Sequence, residues 1–208
     1  SYPAERLYLI VVDNGSTDGT SEIIRKEFPN VTVLENGENL GFAEGNNVGI
    51  RHVLEDDVDY VMLLNNDTVV DKHMLSHLVS VIESEHGVGI VTPKICYYDE
   101  PSHIWCAGAA IDKRTGTTQR LQADKVDNPE DMLVHEVGFA SGCAICVKRE
   151  VINEIGMLDP RYFIYYEEAD WCLRAEAAGW RILYVPYAYV WHKVSTAMGT
   201  SSPATEYY

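Results

Sequence analysis

Residues 7–20 read LYLIVVDNGSTDGT, an apolar run rich in branched side chains that stops at Asp13 in a burst of turn formers. A continuous run of this kind fits a strand buried on both faces, and the Asn-Gly and Asp-Gly pairs close it into a loop. Beyond the loop, Ile23, Ile24 and Phe28 share one helical face, and VTVL at 31–34 reads as a second strand. The rhythm then repeats. NLGF at 39–42 opens a helix through Leu54, and YVMLL at 60–64 is a buried strand ending in Asn65-Asn66-Asp67. Asp71 can cap the next helix, Val70 can staple onto Leu75, and Met74, Leu75, Leu78 and Ile82 fall on its inner face. Residues 88–92 form the next strand. Strands and helices alternating at these lengths predict an α/β domain with a mostly parallel sheet, flanked by helices and joined by right-handed crossovers.

After Pro93 the pattern changes. Residues 94–128 are short and irregular, with turn signals at Asp99-Glu100-Pro101 and at 113–118, so this half reads as mixed or antiparallel. Residues 134–147 look extended, Arg149–Ile155 a short helix stopped by Gly156, and 170–178 another stopped by Gly179. Ten of the 21 aromatic residues fall between positions 162 and 191, where an even spread gives about three. Such a cluster serves as a sugar-stacking platform or as a core wall.

The 208 residues suit one domain at roughly 150 residues per domain. With 46% hydrophobic and 23% charged residues, a packed core is expected and disorder is not. Sixteen basic against 32 acidic residues give a net charge of −16, which argues against nucleic acid as a partner. An anionic small molecule remains compatible if a metal ion or local donors neutralise it. The five cysteines, an odd number, read as inert packed thiols in a reduced compartment, including the C-x-x-C of Cys143 and Cys146. No run approaches the roughly 20 apolar residues of a membrane span and no signal peptide is visible, so a cytoplasmic protein is expected.

In open parallel sheets ligands bind beyond the carboxyl ends of the strands. Two such ends carry clustered side-chain oxygens, Asp13-Asn14 and Asn65-Asn66-Asp67. They suit a hard cation or the edges of a base and ribose, and they equally suit Asx turns that only close the strands. An EF-hand reading of the first loop fails, because Arg25 falls where the bidentate Glu is required. A third cluster, Tyr165-Tyr166-Glu167-Glu168-Ala169-Asp170, precedes a helix. Its acids would be held as carboxylates by the helix dipole, and an ionised carboxylate in a cleft can accept a proton; Asp170 is also spaced to pair with Arg174. His192 ends the apolar run near 182–191, a place for either a structural histidine or a ligand. His73 and His77 share a helix face without the H-E-x-x-H pattern and read as a solvated polar face.

Taken in order, IVVDNGSTDGT at 10–20, NLGFAEGNN at 39–47, YVMLLNNDTVV at 60–70, residues 140–180 (ASGCAICVKREVINEIGMLDPRYFIYYEEADWCLRAEAAGW) and VWH at 190–192 resemble glycosyltransferase family 2, most closely its rhamnosyltransferase-like branch. The resemblance covers nearly the whole chain. It implies a GT-A type, Rossmann-like fold, with a nucleotide-sugar half at 1–92 and an acceptor and catalytic half at 93–208. The implied activity is inverting transfer of a hexosyl or deoxyhexosyl group from a nucleotide-diphosphate sugar (UDP-, dTDP- or GDP-linked) to a hydroxyl of a glycan or lipid-linked acceptor. Cell-surface polysaccharide or glycan synthesis is the implied setting, with a peripheral position at the inner membrane face compatible with it.

Carried over by position, Asp13, Asn14, Asn47, Asn65 and Asn66 would line the nucleotide. Asp67 and His192 would hold a divalent ion, Mg2+ or Mn2+, and Glu168 would be the general base, with Glu167 and Asp170 beside it. Asn65 stands where many members carry an acid, and Glu168 where Asp is commoner. The family's first strand and helix would precede residue 1, and Glu206-Tyr207-Tyr208 reads as the start of a continuing segment. A domain trimmed at both ends is therefore expected, with weak nucleotide binding or none. A non-catalytic nucleotide- or carbohydrate-binding module of the same fold is the alternative, whereas a nucleotidyltransferase would need a Gly-rich, basic phosphate loop that the sequence lacks.

Overall fold

The computed structural model describes residues 2–194, so Glu206-Tyr207-Tyr208 lies outside the described residues. After a single 3-10 turn the chain runs β1 (Ile10–Asp13), α1 (Thr20–Glu27), β2 (Thr32–Glu35), α2 (Gly41–Leu54), β3 (Tyr60–Leu64), β4 (Thr68–Val70) and α3 (Met74–Ser84). It continues through β5 (Val88–Tyr97), β6 (Ile104–Cys106), β7 (Ala109–Ile111), β8 (Thr118–Arg120), β9 (His135–Glu136), β10 (Ala144–Lys148), α4 (Arg149–Ile155), α5 (Glu167–Ala177) and β11 (Arg181–His192).

The main sheet has the order β3-β10-β5-β11-β4, with β6 joined to β5 and β9 to β11. Its strands alternate their side chains between two cores, as a period of two requires. Ile90, Ile145, Val147 and Ile182 point into one core with Ile50 of α2, Val151 of α4 and Trp171 of α5. Their neighbours Val91, Ala144, Cys146 and Leu183 point into the other, with Leu78 and Ile82 of α3. Each fully buried branched side chain stabilises by about 1.5–3 kcal/mol, which makes the β5–β10–β11 centre the anchor of the fold.

The α/β class is as expected, and the antiparallel share is larger than the alternation suggested. Within this sheet β5 and β11 run parallel, while β10 lies antiparallel between β3 and β5 and β4 is antiparallel to β11. The late strand β10 thus returns between two early ones, which no local signal announces. Strand β5 also runs on through Pro93. Proline is tolerated there because the antiparallel partner changes from β10 to β6 and the register to β11 shifts between Val185 and Tyr189. Lys94, the next residue, is buried, and its charge is met by Asp127 at 2.5 Å.

The opening run behaves differently from the expectation. β1 pairs only with β2, in parallel, and no ladder joins this pair to β3. With one partner strand, β1 is partly buried, and Leu7, Tyr8 and Leu9 before it are exposed. Helix α2 packs on both β1 and β3 and so carries the first sheet alongside the second. All five cysteines are free and buried, and burial pushes the thiols of Cys106, Cys146 and Cys172 up to about 12, where they are poor nucleophiles. Among the described residues no helix is long and apolar enough to cross a membrane.

Candidate functional site

Strand β3 ends at Leu64, and the turn Asn65-Asn66-Asp67 leads into β4. Because β4 pairs antiparallel with the end of β11, Thr68 faces His192 and the preceding Asp67 is brought to the imidazole. Asp67 Oδ1 lies 3.1 Å from His192 Nε2, and the Lys193 amide donates to the Asp67 carbonyl at 2.9 Å. His192 is 6% exposed, and burial, outweighing the pull of Asp67, lowers its pKa and favours the neutral ring. Its Nδ1 is buried without a hydrogen-bond partner, and Trp105 stands edge-on to the ring at 4.7 Å.

This pair fits a divalent ion. Two cis ligands at about 2.1 Å from one metal are about 3 Å apart, and the donor set is one carboxylate oxygen and one neutral imidazole nitrogen. Among the described residues no group of three His, Cys, Asp or Glu side chains forms a metal cluster, so the remaining ligands would be substrate or water oxygens. His73 and His77 lie with ring centres 6.1 Å apart and tilted by 56° at the start of α3; His73 is exposed, as expected, while His77 is half-buried and edge-on to Tyr187.

Helix α5 begins at Glu167, directly after two left-handed residues, Tyr165 and Tyr166, each with φ of 70°. A non-glycine residue pays roughly 1–3 kcal/mol for such a conformation, and here it turns both glutamates inward. Glu167 is 3% exposed and Glu168 half-buried, and each has Oε2 shielded from water without a hydrogen-bond partner. Burial pushes Glu167 up to about 8, with Glu168 adding like-charge repulsion. Burial also raises Glu168, against backbone N–H groups of Gly142, Ala169 and its own that favour the charged form. At both acids burial outweighs the helix dipole and moves the pKa up, opposite to the direction their position in sequence suggested.

The two groups of residues meet through one short segment. Gly142 donates to Glu168, and the carbonyl of Cys143, the next residue, accepts the Asn65 amide at 2.9 Å. The base candidate and the Asp67 turn are thus held by adjacent peptides. Asp170 serves this frame from outside: it pairs with Arg174 at 2.8 Å, whose other nitrogens donate to the Ile155 and Met157 carbonyls.

The residues expected along the nucleotide are placed less uniformly. Asp13 accepts the Ser16 amide at 2.7 Å and the Ser21 hydroxyl, and these bonds lower its pKa. Asn14 donates to Asn39 and to the Gly41 carbonyl, and accepts from Asn36 and Leu40. Asn47 is 2% exposed and spends both amide hydrogens on Glu44 and the Leu158 carbonyl, which ties α2 to the strand of chain before α5. Asp13, Asn14 and Asn47 thus tie together the loops that follow β1, precede α2 and lead to α5. Asn66 is exposed and Asn65 half-buried at the turn itself. The aromatic cluster divides, with Trp171 and Tyr184 in the core and Tyr162, Phe163 and Tyr166 exposed beside the glutamates. Trp105 and Arg120, which stack on each other near His192, lie in the irregular stretch where no motif drew attention to them.

Comparisons with known proteins give the family and the fold. Residues 1–204 match the family model described as Glycosyltransferase like family 2. A curated relative from Mycobacterium tuberculosis, named N-acetylglucosaminyl-diphospho-decaprenol L-rhamnosyltransferase, is 27% identical over 92% of this chain and 68% of its own length. Among solved structures, GalNAc-T7 with UDP, GalNAc and Mn2+ superposes with a TM-score of 0.70 at 16% identity, over 91% of this chain and 38% of that one. The mannosyltransferase of Pyrobaculum calidifontis, in complex with GDP-Man and Mn2+, gives 0.66 at 19% identity, over 95% and 50%. The chain thus spans two thirds of that relative and half or less of these structures, which share its fold. By its sequence over nearly its full length, the chain belongs to glycosyltransferase family 2.

Proposed function

We propose that this chain is the catalytic domain of an inverting glycosyltransferase, which moves a sugar from a nucleotide-diphosphate donor to an acceptor hydroxyl. The observation that carries the reading is the juxtaposition of the Asp67–His192 pair with the shielded Glu168 carboxyl, joined through Gly142 and Cys143. Asp67 and His192 would hold Mg2+ or Mn2+, which when bound offsets the negative charge of the diphosphate leaving group. Glu168 takes the proton of the acceptor hydroxyl as it attacks the anomeric carbon from the face opposite the leaving group. Its raised pKa makes it a stronger base than an exposed carboxylate. Oxocarbenium character at the anomeric carbon is expected, as in glycoside hydrolysis. Glu167, protonated near neutrality, keeps a second negative charge away from Glu168. Asn65 and Asn66 would reach the donor from the rim.

The mycobacterial relative supports a deoxyhexosyl donor and a lipid-linked acceptor, and a cytoplasmic site at the inner membrane face follows from such an acceptor. Transfer or donor hydrolysis followed by NMR of the anomeric configuration tests the reading. Wild-type chain should give the inverted product, and Glu168→Gln should lower the rate by on the order of 10²–10⁴-fold with unchanged nucleotide affinity. Turnover unaffected by Glu168→Gln, or a retained configuration, contradicts it.

A further inference from the structure

Arg120 ends β8, exposed, with its guanidinium carbon 4.7 Å from the centre of the Trp105 ring. One of its nitrogens donates to the Trp105 carbonyl at 3.3 Å. The same indole meets the His192 ring edge-on, with centroids 4.7 Å apart. A single aromatic side chain therefore separates this cation from the imidazole that pairs with Asp67.

Arg120 is one of three of the nine arginines, with Arg6 and Arg114, that form no ion pair among the described residues, and of the three it alone is held over an aromatic ring. Arg25, Arg51, Arg149, Arg161, Arg174 and Arg181 each form an ion pair with a carboxylate. Acids outnumber bases two to one in the chain, yet no such pair forms at Arg120 among the described residues. Asp124, four residues on, accepts the Tyr97 hydroxyl at 2.6 Å instead. With one nitrogen donating to the Trp105 carbonyl, the guanidinium has further N–H donors to offer an anion.

We propose that Arg120, braced by Trp105, binds the diphosphate of the nucleotide-sugar donor and of the departing nucleoside diphosphate. The assignment rests on the glycosyltransferase reading above. That reaction brings a diphosphate to the Asp67–His192 corner, where one divalent ion leaves part of its charge unmet and the net field of the protein opposes it. A braced arginine supplies the missing positive charge with directional hydrogen bonds. Trp105 acts here as a positioning residue, holding Arg120 on one side and His192 on the other.

Isothermal titration in the presence of Mn2+ separates the possibilities, using UDP, dTDP and GDP and the matching monophosphates. For the nucleoside diphosphate that wild-type chain prefers, Arg120→Ala should weaken binding by about 10- to 100-fold and Arg120→Lys by less, with the monophosphate changed little. Arg120 is exposed, so the melting temperature of both variants should stay near that of wild type, and Arg120→Lys keeps the test valid if the alanine variant is unstable. Equal diphosphate affinity in wild type and Arg120→Ala overturns the assignment and leaves the glycosyltransferase reading standing. An equal loss for mono- and diphosphate overturns it too, since the effect is then not on the second phosphate. An unchanged donor affinity with a raised KM for a lipid-diphosphate acceptor overturns it in favour of the acceptor side. Wild-type chain that binds no nucleoside diphosphate overturns both readings.

Discussion

At the scale of single residues, Glu167 makes the sharpest statement about pH. Its carboxyl is buried without a partner for Oε2, and its pKa is pushed up from 4.5 to about 8. The folded chain then holds a proton that the unfolded chain releases above about pH 4.5, so this group's contribution to stability falls as pH rises from about 4.5 to 8. Glu167→Gln should remove that slope, matching wild type near pH 5 and exceeding it at pH 8 by on the order of a few kcal/mol. Urea midpoints at the two pH values check this, and parallel curves for the two proteins would refute it. Residue identity also marks the limit of reading by position. Asp67 and His192 were named from sequence, and the β4–β11 pairing brings them together. Asn14 and Asn47 were named in the same way, and their side-chain amides bond Asn39, Gly41, Glu44 and Leu158. An asparagine's partners are set by tertiary neighbours, which spacing along the chain does not reveal.

Among the elements, the helices were the most legible, because caps and a 3.6-residue period are local. Helix α3 forms where its apolar period placed it, but its N-cap is His73, with no side-chain cap bond; Asp71, expected as the cap, accepts the His73 amide at 2.8 Å in the turn before it. The contact between α2 and the segment before α5 was not legible. At Gly41 φ is +80°, and a Cβ there would lie 2.4 Å from the Phe163 carbonyl oxygen. The next amide, that of Phe42, donates to the same oxygen at 2.6 Å. Gly41→Ala must therefore displace the chain that leads through Tyr165 and Tyr166 into the two glutamates. A loss of about 2 kcal/mol is expected, or roughly 4–8 °C in melting temperature for a domain of this size, together with lowered kcat. Thermal melts and initial rates of the variant check it; an unchanged Tm would show that the approach at Gly41 is relaxed elsewhere.

For the molecule as a whole, the division into two sheets governs where the fold opens first. Strands β1 and β2 form a two-stranded ladder whose buried residue is Asp13, and α1 buries Ser21 alone. A two-stranded pair with little apolar burial is marginal, whereas β5 buries every position from Val88 to Cys96. Hydrogen exchange should therefore release amides of Val11, Val12 and Val33 well before those of Ile90, Val91 and Leu183; equal protection would contradict this hierarchy. The run at 7–12 suggested a strand buried on both faces, and hydrophobicity was read correctly while the number of strand partners was not, since pairing is decided between distant segments. The central claim is that Asp67 and His192 hold a metal that a nucleoside diphosphate shares. Its most direct test is a thermal-shift screen with millimolar UDP, dTDP and GDP, each with and without Mn2+, on wild-type chain, Asp67→Asn and His192→Ala. The account predicts a metal-dependent rise for one nucleotide, of about 1 kcal/mol in stability even at millimolar affinity, that both variants abolish. No rise with any nucleotide, or a rise that persists without Mn2+ or in both variants, would contradict it.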